Sequence, residues 1–263
     1  MIREYYNLTK VSYQLLRESK LERSTSKVQK EYDTAWNVPA TNLPKAATLD
    51  EWFYMLSDRG IPSLHNVSGK LRNAVFDTGF YRGLILEQIQ KVFPQARSVT
   101  EYGCGVGENL LFLKSKMPHL ECYGYELSRT GVDTARKAAA KFGMAVQYSQ
   151  LDYVYGAPAD FVFPVTDIAF TILSLEQLPD KNLKAIQNIH SRVKMGSLHV
   201  EPVCENYPYN FRGIMGRVYI SKRDYLRNFD RNARSLGLKK ISNKLLLTAH
   251  NPLMFPSLYV LEK

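Results

Sequence analysis

Cysteine is scarce in this chain. The three present, at 104, 122 and 204 of 263 residues, are too few and too scattered for a disulfide framework, and no C-x-x-C pair offers zinc spacing. They read as free thiols of a reducing compartment. No run of about eighteen apolar residues occurs, so no membrane-spanning helix is expected. The opening stretch MIREYYNLTKVSYQLLRESK is charged and aromatic and lacks the apolar core of a secretory leader. A cytoplasmic protein is therefore the default expectation. Internal repeats and low-complexity tracts are absent. Acidic residues are in deficit, 25 against 35 basic ones, for a formal charge of +10. That balance favours anionic partners. The basic residues are spread out, however, and the densest set, Lys222, Arg223, Arg227, Arg231, Arg234, Lys239 and Lys240, reads equally well as a solvated face. Nucleic acid is the lesser expectation.

What is present is enough apolar material, 45% of residues, for one sizeable core. The first third reads as helices separated by loops. One helix is expected over 3–32. A second starts at Thr48, with Glu51 completing a capping box and Gly60 beyond its end, and a third covers 77–93. The intervening stretches 37–46 and 61–70 read as loops by their Pro, Gly, Asn and Ser content. From residue 97 the pattern alternates. Strands are expected over 97–102, 121–127, 145–152, 166–175 and 196–203, with helices over 108–116, 129–143 and 179–193 between them. A helix over 222–237 and two strands, 239–248 and 256–263, follow. Alternation of this kind predicts an α/β fold, a doubly wound and mostly parallel seven-stranded sheet. The last two strands are joined by too short a link for a parallel crossover, which makes the C-terminal pairing antiparallel. The division expected is a helical N-terminal extension over 1–79 and a sheet domain over 80–263.

The stretch SVTEYGCGVGENLLFL, residues 98–113, places Gly103, Gly105 and Gly107 between a strand and a helix. Such a turn lets a ligand approach bare backbone at a helix start. A nicotinamide dinucleotide is one possibility, but its fingerprint is G-x-G-x-x-G. Here the third glycine comes one residue early, and Glu108 at the helix start repels a pyrophosphate. A cofactor without phosphate, carrying an amine and a positive sulfur, suits the turn better.

EYGCGVGEN resembles motif I, E/D-x-G-x-G-x-G, of the class I S-adenosylmethionine-dependent methyltransferases. Further landmarks follow in order over roughly residues 80–263. The second strand ends in an acid, Glu126 in YGYELS, which in this family accepts the ribose hydroxyls. Asp152 in SQLDY stands where the family has a group near the adenine amine. The stretch ILSLEQLPD corresponds to the one facing the sulfur and methyl group. The resemblance implies S-adenosyl-L-methionine as cofactor. It implies a site made of Glu101, Gly103, Cys104, Gly105, Gly107, Asn109, Glu126, Leu127, Leu151, Asp152 and Ser174. Glu101, at the end of its strand, can bind the cofactor's amino group directly or through water. Ligands of open α/β sheets lie at the strand carboxyl ends, where these landmarks fall.

Methyl transfer asks mainly for alignment of acceptor, methyl and sulfur. A hydroxyl acceptor also needs a proton acceptor. The candidates at strand ends are Glu176, His199 and Glu201. Each also has a structural reading: Glu176 orienting the next helix, His199 satisfied in the core, Glu201 closing its strand. No metal is expected, because Asp167 lies at the wrong end of its strand and no acid pair follows the fifth. SLEQ replaces the Asn/Asp-Pro-Pro-Tyr/Phe stretch of DNA amino-methyltransferases. The stretches SLEQLP, HVEP and YISKRDYLRN are faintly similar to methyltransferases of bacterial surface-polysaccharide and small-metabolite pathways. They favour a small-molecule or sugar acceptor over a macromolecule; O-methylation is the expected transfer. The alternatives are an RNA methyltransferase and a non-catalytic partner subunit that retains the cofactor fold. The oligomeric state is left open. The aromatic N-terminal region, with hinges at Pro39 and Pro62, reads either as a lid over the strand ends or as padding of the sheet.

Overall fold

A computed structural model describes residues 2–57, 63–68, 70–74, 77, 79–155 and 164–263. Its centre is a seven-stranded sheet built from β3 (Ser98–Tyr102), β4 (Glu121–Glu126), β5 (Val146–Gln150), β6 (Thr166–Ile172), β7 (Val193–Glu201), β8 (Lys239–Leu245) and β9 (Ser257–Glu262). The order across the sheet is β5-β4-β3-β6-β7-β9-β8. The first five are parallel, while β9 runs antiparallel to both β7 and β8. The chain lays β4 and β5 on one side of β3 and then crosses to place β6 on the other. The carboxyl ends of β3 and β6 therefore flank the switch point, where open α/β sheets bind ligands.

Both sheet faces are covered, as the apolar strands require. On one face α5 (Gly79–Val92), α6 (Glu108–Lys116) and α7 (Arg129–Lys141) bury Ile85, Ile89, Leu110, Leu111, Val132 and Ala135. On the other, α8 (Asn182–Ser191) and α10 (Phe229–Ser235) bury Ile186, Ile189 and Phe229. The capped helix α4 (Leu49–Leu56) forms as its sequence dictates. Thr48 accepts from the Glu51 N–H at 3.1 Å and the Glu51 carboxylate takes the Thr48 N–H. It delivers Trp52, fully buried, to the same core as α5. Gly60 and Pro62 lie outside the described residues.

Several elements differ from expectation. Residues 3–32 are two helices, α1 (Ile2–Arg17) and α2 (Thr25–Ala35). The break comes where Ser24 caps α2 by accepting from Lys27 N–H, and where Leu21 N–H pairs with the Lys222 carbonyl at 2.8 Å. Residues 37–46 are not a loop: α3 (Asn37–Asn42) and a 3₁₀ turn (Leu43–Lys45) follow α2. Pro39 fits there because the first turn of a helix needs no donor from it. Within 61–70, β1 (Ser63–Val67) pairs antiparallel with β2 (Lys70–Ala74), a hairpin the sequence did not announce. The 222–237 helix is broken by Asp224 and Asn228, both in the left-handed region at φ 53° and 60°. An unanticipated helix, α9 (Phe211–Arg223), precedes that break and takes its cap from Asn210. The fourth strand stops at Ile172 because Leu173 is left-handed at φ 52°; a 3₁₀ turn (Leu175–Gln177) follows. No helix among the described residues is long and apolar enough to cross a membrane.

Candidate active site

The glycine turn lies at the carboxyl end of β3, and all three glycines have positive φ. Gly103 and Cys104 give their N–H groups to the Tyr125 carbonyl at 2.7 and 3.0 Å, which fixes the turn to β4. At Gly103 (φ 77°) a Cβ would stand 1.9 Å from Ser174 Oγ. At Gly105 (φ 54°) it would stand 2.8 Å from the Trp36 ring. A side chain at either position is thus excluded both by backbone strain and by a wall of the site. Gly107 opens α6, and its carbonyl accepts the Tyr148 hydroxyl at 2.9 Å.

Two buried carboxylates face this turn. Glu101 is almost wholly buried, and its Oε1 accepts from Asn109 Nδ2 at 2.6 Å. Its Oε2 is buried with no hydrogen-bond partner. Burial pushes its carboxyl well above the usual carboxylate range, against the opposing pull of the Asn109 amide. An orphaned carboxylate oxygen at a glycine turn fits a cationic amine, since leaving it unpaired is costly. Glu126, at the end of β4, accepts Gly105 N–H through Oε2 and Ser128 N–H through Oε1, each at 2.8 Å. Each oxygen keeps a further lone pair for a hydroxyl donor. Burial raises the Glu126 carboxyl too, and backbone N–H bonds from Ser128, Gly105 and Leu127 restrain the rise.

A cavity of about 490 Å³ opens from this turn. Of the expected cofactor residues, Gly103, Cys104, Gly105, Asn109, Glu126, Leu127, Leu151, Asp152 and Ser174 line it, whereas Glu101 and Gly107 lie outside its lining. Cys104 contributes a neutral wall, because burial pushes its thiol well above the ordinary value. Glu108 also reaches the cavity and is paired with Arg82 of α5 at 3.1 Å.

The opposite wall was not named residue by residue from the sequence. Val28, Tyr32 and Trp36 descend from α2 and its junction with α3, and Tyr81 comes from α5. The roof is tied down at Asp33, whose carboxylate accepts Ser128 Oγ at 2.6 Å at the start of α7. Lys141 Nζ donates to the Pro44 carbonyl at 3.0 Å. Aromatic enrichment near the N-terminus was the available signal for this wall. His250, which also lines the cavity, is a lone histidine between the last two strands and carries no sequence signal.

The three proton-acceptor candidates are placed differently. Glu176 does not line the cavity; it stands behind Gln177, which does, and its Oε1 accepts Gln177 Nε2 at 2.8 Å. Glu176 Oε2 is buried without a partner, and burial followed by the nearby Glu201 charge pushes the carboxyl well up. His199 does not line the cavity. It is fully buried, with Nδ1 on Thr171 Oγ1 at 3.0 Å and Nε2 on Ser197 Oγ at 2.7 Å, and burial pushes its pKa well down. Glu201 is likewise fully buried and outside the cavity lining. Its oxygens accept the backbone N–H groups of Ser174, Leu175 and Glu176 at 3.0–3.1 Å. Asp167 takes the N–H groups of Arg97 and Ser98 at the far end of the sheet. Among the described residues no group of three His, Cys, Asp or Glu side chains is placed to hold a metal ion.

The comparisons with known proteins agree with this geometry. Residues 99–196 match the methyltransferase-domain family model. No curated protein matches the chain. Among solved structures, the plantazolicin methyltransferase BpumL, in complex with S-adenosylhomocysteine and a desmethyl-plantazolicin analogue, is similar at a TM-score of 0.54 and 11% identity. The match covers 90% of this chain and 99% of that one. The magnesium protoporphyrin IX methyltransferase ChlM of Synechocystis PCC 6803, with bound S-adenosylhomocysteine, gives 0.54 at 13% identity over 70% and 82% of the two chains. An O-methyltransferase family protein of Burkholderia thailandensis gives 0.53 at 15% over 70% and 56%. In its family match over 99–196 and in its fold the chain is similar to S-adenosylmethionine-dependent methyltransferases, and S-adenosylmethionine is the cofactor these findings support.

Proposed function

We propose that this enzyme transfers the methyl group to a hydroxyl of a small acceptor, with sugars and ring-bearing metabolites as the class to test first. The observation that carries the reading is a single cavity that runs from the glycine turn to Tyr32, Tyr81 and Gln177 beneath an N-terminal roof. Its volume lies within the range of small-ligand sites, roughly 300–1,000 Å³, and a roofed cavity suits a small molecule better than a polynucleotide. BpumL, ChlM and the Burkholderia protein, by their names, include enzymes acting on a peptide-derived natural product and a porphyrin.

When bound, the cofactor supplies a methyl group already activated by a sulfonium. The residues of this chain hold and orient it. Glu101, with its unpartnered Oε2, would hold the amino group, Glu126 the ribose hydroxyls and Asp152 the adenine end. Gly103 and Gly105 leave room for the methionine portion. Gln177 faces the acceptor end of the cavity, and Glu176, behind it and outside the lining, orients it through Oε1. Val28, Tyr32 and Trp36 exclude water from the reacting atoms.

The test is release of S-adenosylhomocysteine from S-adenosylmethionine by the purified protein. The acceptor panel holds sugars, nucleotide sugars, phenols, small amines and total RNA. Turnover on a sugar or phenol is expected. Turnover confined to RNA or to amines overturns the hydroxyl reading.

A further inference from the structure

The geometry points to Glu201 as a positioning residue that sets the cofactor turn from the far side of β6, without touching cofactor or acceptor. The chain of contacts is short. Glu201 Oε1 accepts the N–H groups of Ser174 at 3.1 Å and Leu175 at 3.0 Å, and Oε2 accepts that of Glu176 at 3.1 Å. One carboxylate therefore holds three successive backbone donors of the turn that follows β6. This is the arrangement a helix start needs when no cap of its own is present, and Ser174 makes no side-chain cap bond there. Ser174 Oγ instead bonds the Tyr153 hydroxyl at 2.8 Å and fills the space directly above Gly103. Gly103 begins the glycine turn. A displacement of Ser174 thus moves one wall of the cofactor seat, while a displacement of residues 176–177 moves Glu176 and Gln177 at the acceptor end.

Glu201 is itself braced. Thr171 of β6 bonds its carboxylate and also His199 Nδ1. His199 Nε2 bonds Ser197 Oγ, and Ser197 Oγ bonds His190 Nε2 of α8 at 2.8 Å. This polar chain runs through the core and orients one carboxylate. A buried network of this kind is favourable only when its members are satisfied. The titratable groups facing Glu201 are Glu176 on the turn it holds, Tyr153 after β5 and, through Thr171, His199. None is a cation, and burial pushes the Glu201 carboxyl up to about 7. The ionised form accepts all three N–H groups. Protonation turns one oxygen partly into a donor and weakens that grip as pH falls through about 7.

The inference rests on the cofactor seat and not on the acceptor proposed above, so it is tested without any acceptor. S-adenosylhomocysteine binding by calorimetry and amide hydrogen exchange are compared in the full chain and in Glu201→Gln, from pH 6 to 8.5. Expected are affinity about tenfold weaker at pH 8 in the variant, faster exchange confined to 174–177 and 103–105, and loss of the wild-type weakening below pH 7. Thr171→Val, which removes one brace and leaves the carboxylate, is expected to show the same local pattern at smaller amplitude. It decides the matter if Glu201→Gln does not fold. Unchanged affinity and exchange overturn the inference. So does a loss of protection spread evenly over β6 and β7, which marks the group as core structure only.

Discussion

The two walls of the cavity are built on different principles. The glycine-turn wall is made from one continuous run, residues 101–128, and the bonds of Glu126 within it are buried. Glu126 reaches Gly105 and Ser128, Asn109 reaches Glu101, and Gly103 is pinned to Tyr125. The roof comes from residues 23–39 and is tied to the sheet domain by long-range polar contacts, Asp33 to Ser128 and Lys141 to the Pro44 carbonyl. The strap before it pairs Leu21 with the Lys222 carbonyl, and Arg23 with Glu31 and the Arg223 carbonyl. Partly exposed bonds of this sort exchange with water at little net cost, whereas the turn's buried bonds do not. We therefore expect the seat to be the rigid half and the roof the half that yields.

The sharpest way to break the seat is Gly105→Val. A valine there adopts φ near 54°, which costs roughly 1–2 kcal/mol, and its side chain meets Trp36 at a position already 2.8 Å from the ring. No S-adenosylhomocysteine binding should be detectable by calorimetry, with circular dichroism confirming a folded chain. Binding within tenfold of wild type would falsify the seat as described. Glu126→Ala is expected to be next in size. It removes an acceptor for the ribose and two ties that shape the turn, and should weaken binding by roughly 1–3 kcal/mol.

That ranking also explains what could be read from the sequence. The seat was legible because its requirements are local. A glycine at a fixed offset from a strand, and an acid at the end of the next one, are forced by backbone geometry and appear as spacing. The mostly parallel sheet and its antiparallel C-terminal pairing followed from alternation and link length. The roof was legible only as an aromatic-rich region, because Trp36 meets Gly105 through tertiary packing across some seventy residues. The same holds for Glu201. As a strand-end acid it looked like a base, and only the folded chain brings three N–H groups onto it. His199 looked like a candidate because strand spacing does not tell which face a residue takes. Helix α9 was missed because Pro208, Gly213 and Gly216 mask its periodicity. Gly213 and Gly216 are there for close approach to Pro208 and to Tyr207 and Leu253.

A third and smaller effect is expected from Trp36→Ala, which tests whether the roof belongs to the cofactor site at all. The Trp36 ring borders both Gly105 and Gly131, and its indole nitrogen is buried without a partner. Removing it opens the wall and should weaken S-adenosylhomocysteine about tenfold, or ~1.4 kcal/mol. Unchanged affinity with lowered turnover would confine the roof to acceptor handling.

The mildest change addresses how the roof is held. Asp33 is the only side chain of α2 among the described contacts that bonds α7, taking Ser128 Oγ at 2.6 Å and lying 3.4 Å from Thr130 N. Ser128 uses the same hydroxyl to cap α7 at Gly131 N–H. Asp33→Ala therefore unfastens the roof and leaves the cap intact, at a cost of roughly 0.5–1.5 kcal/mol. Because the seat is built independently, its core should keep the wild-type midpoint in denaturant within the error of the measurement. The expected readout is faster limited proteolysis at residues 37–45, with S-adenosylhomocysteine affinity reduced only two- to tenfold and protection partly restored by saturating ligand. Equal cleavage rates in variant and wild type would mean that α2 and α3 stay seated through apolar packing alone. The difference between the two walls would then be one of composition and not of mobility.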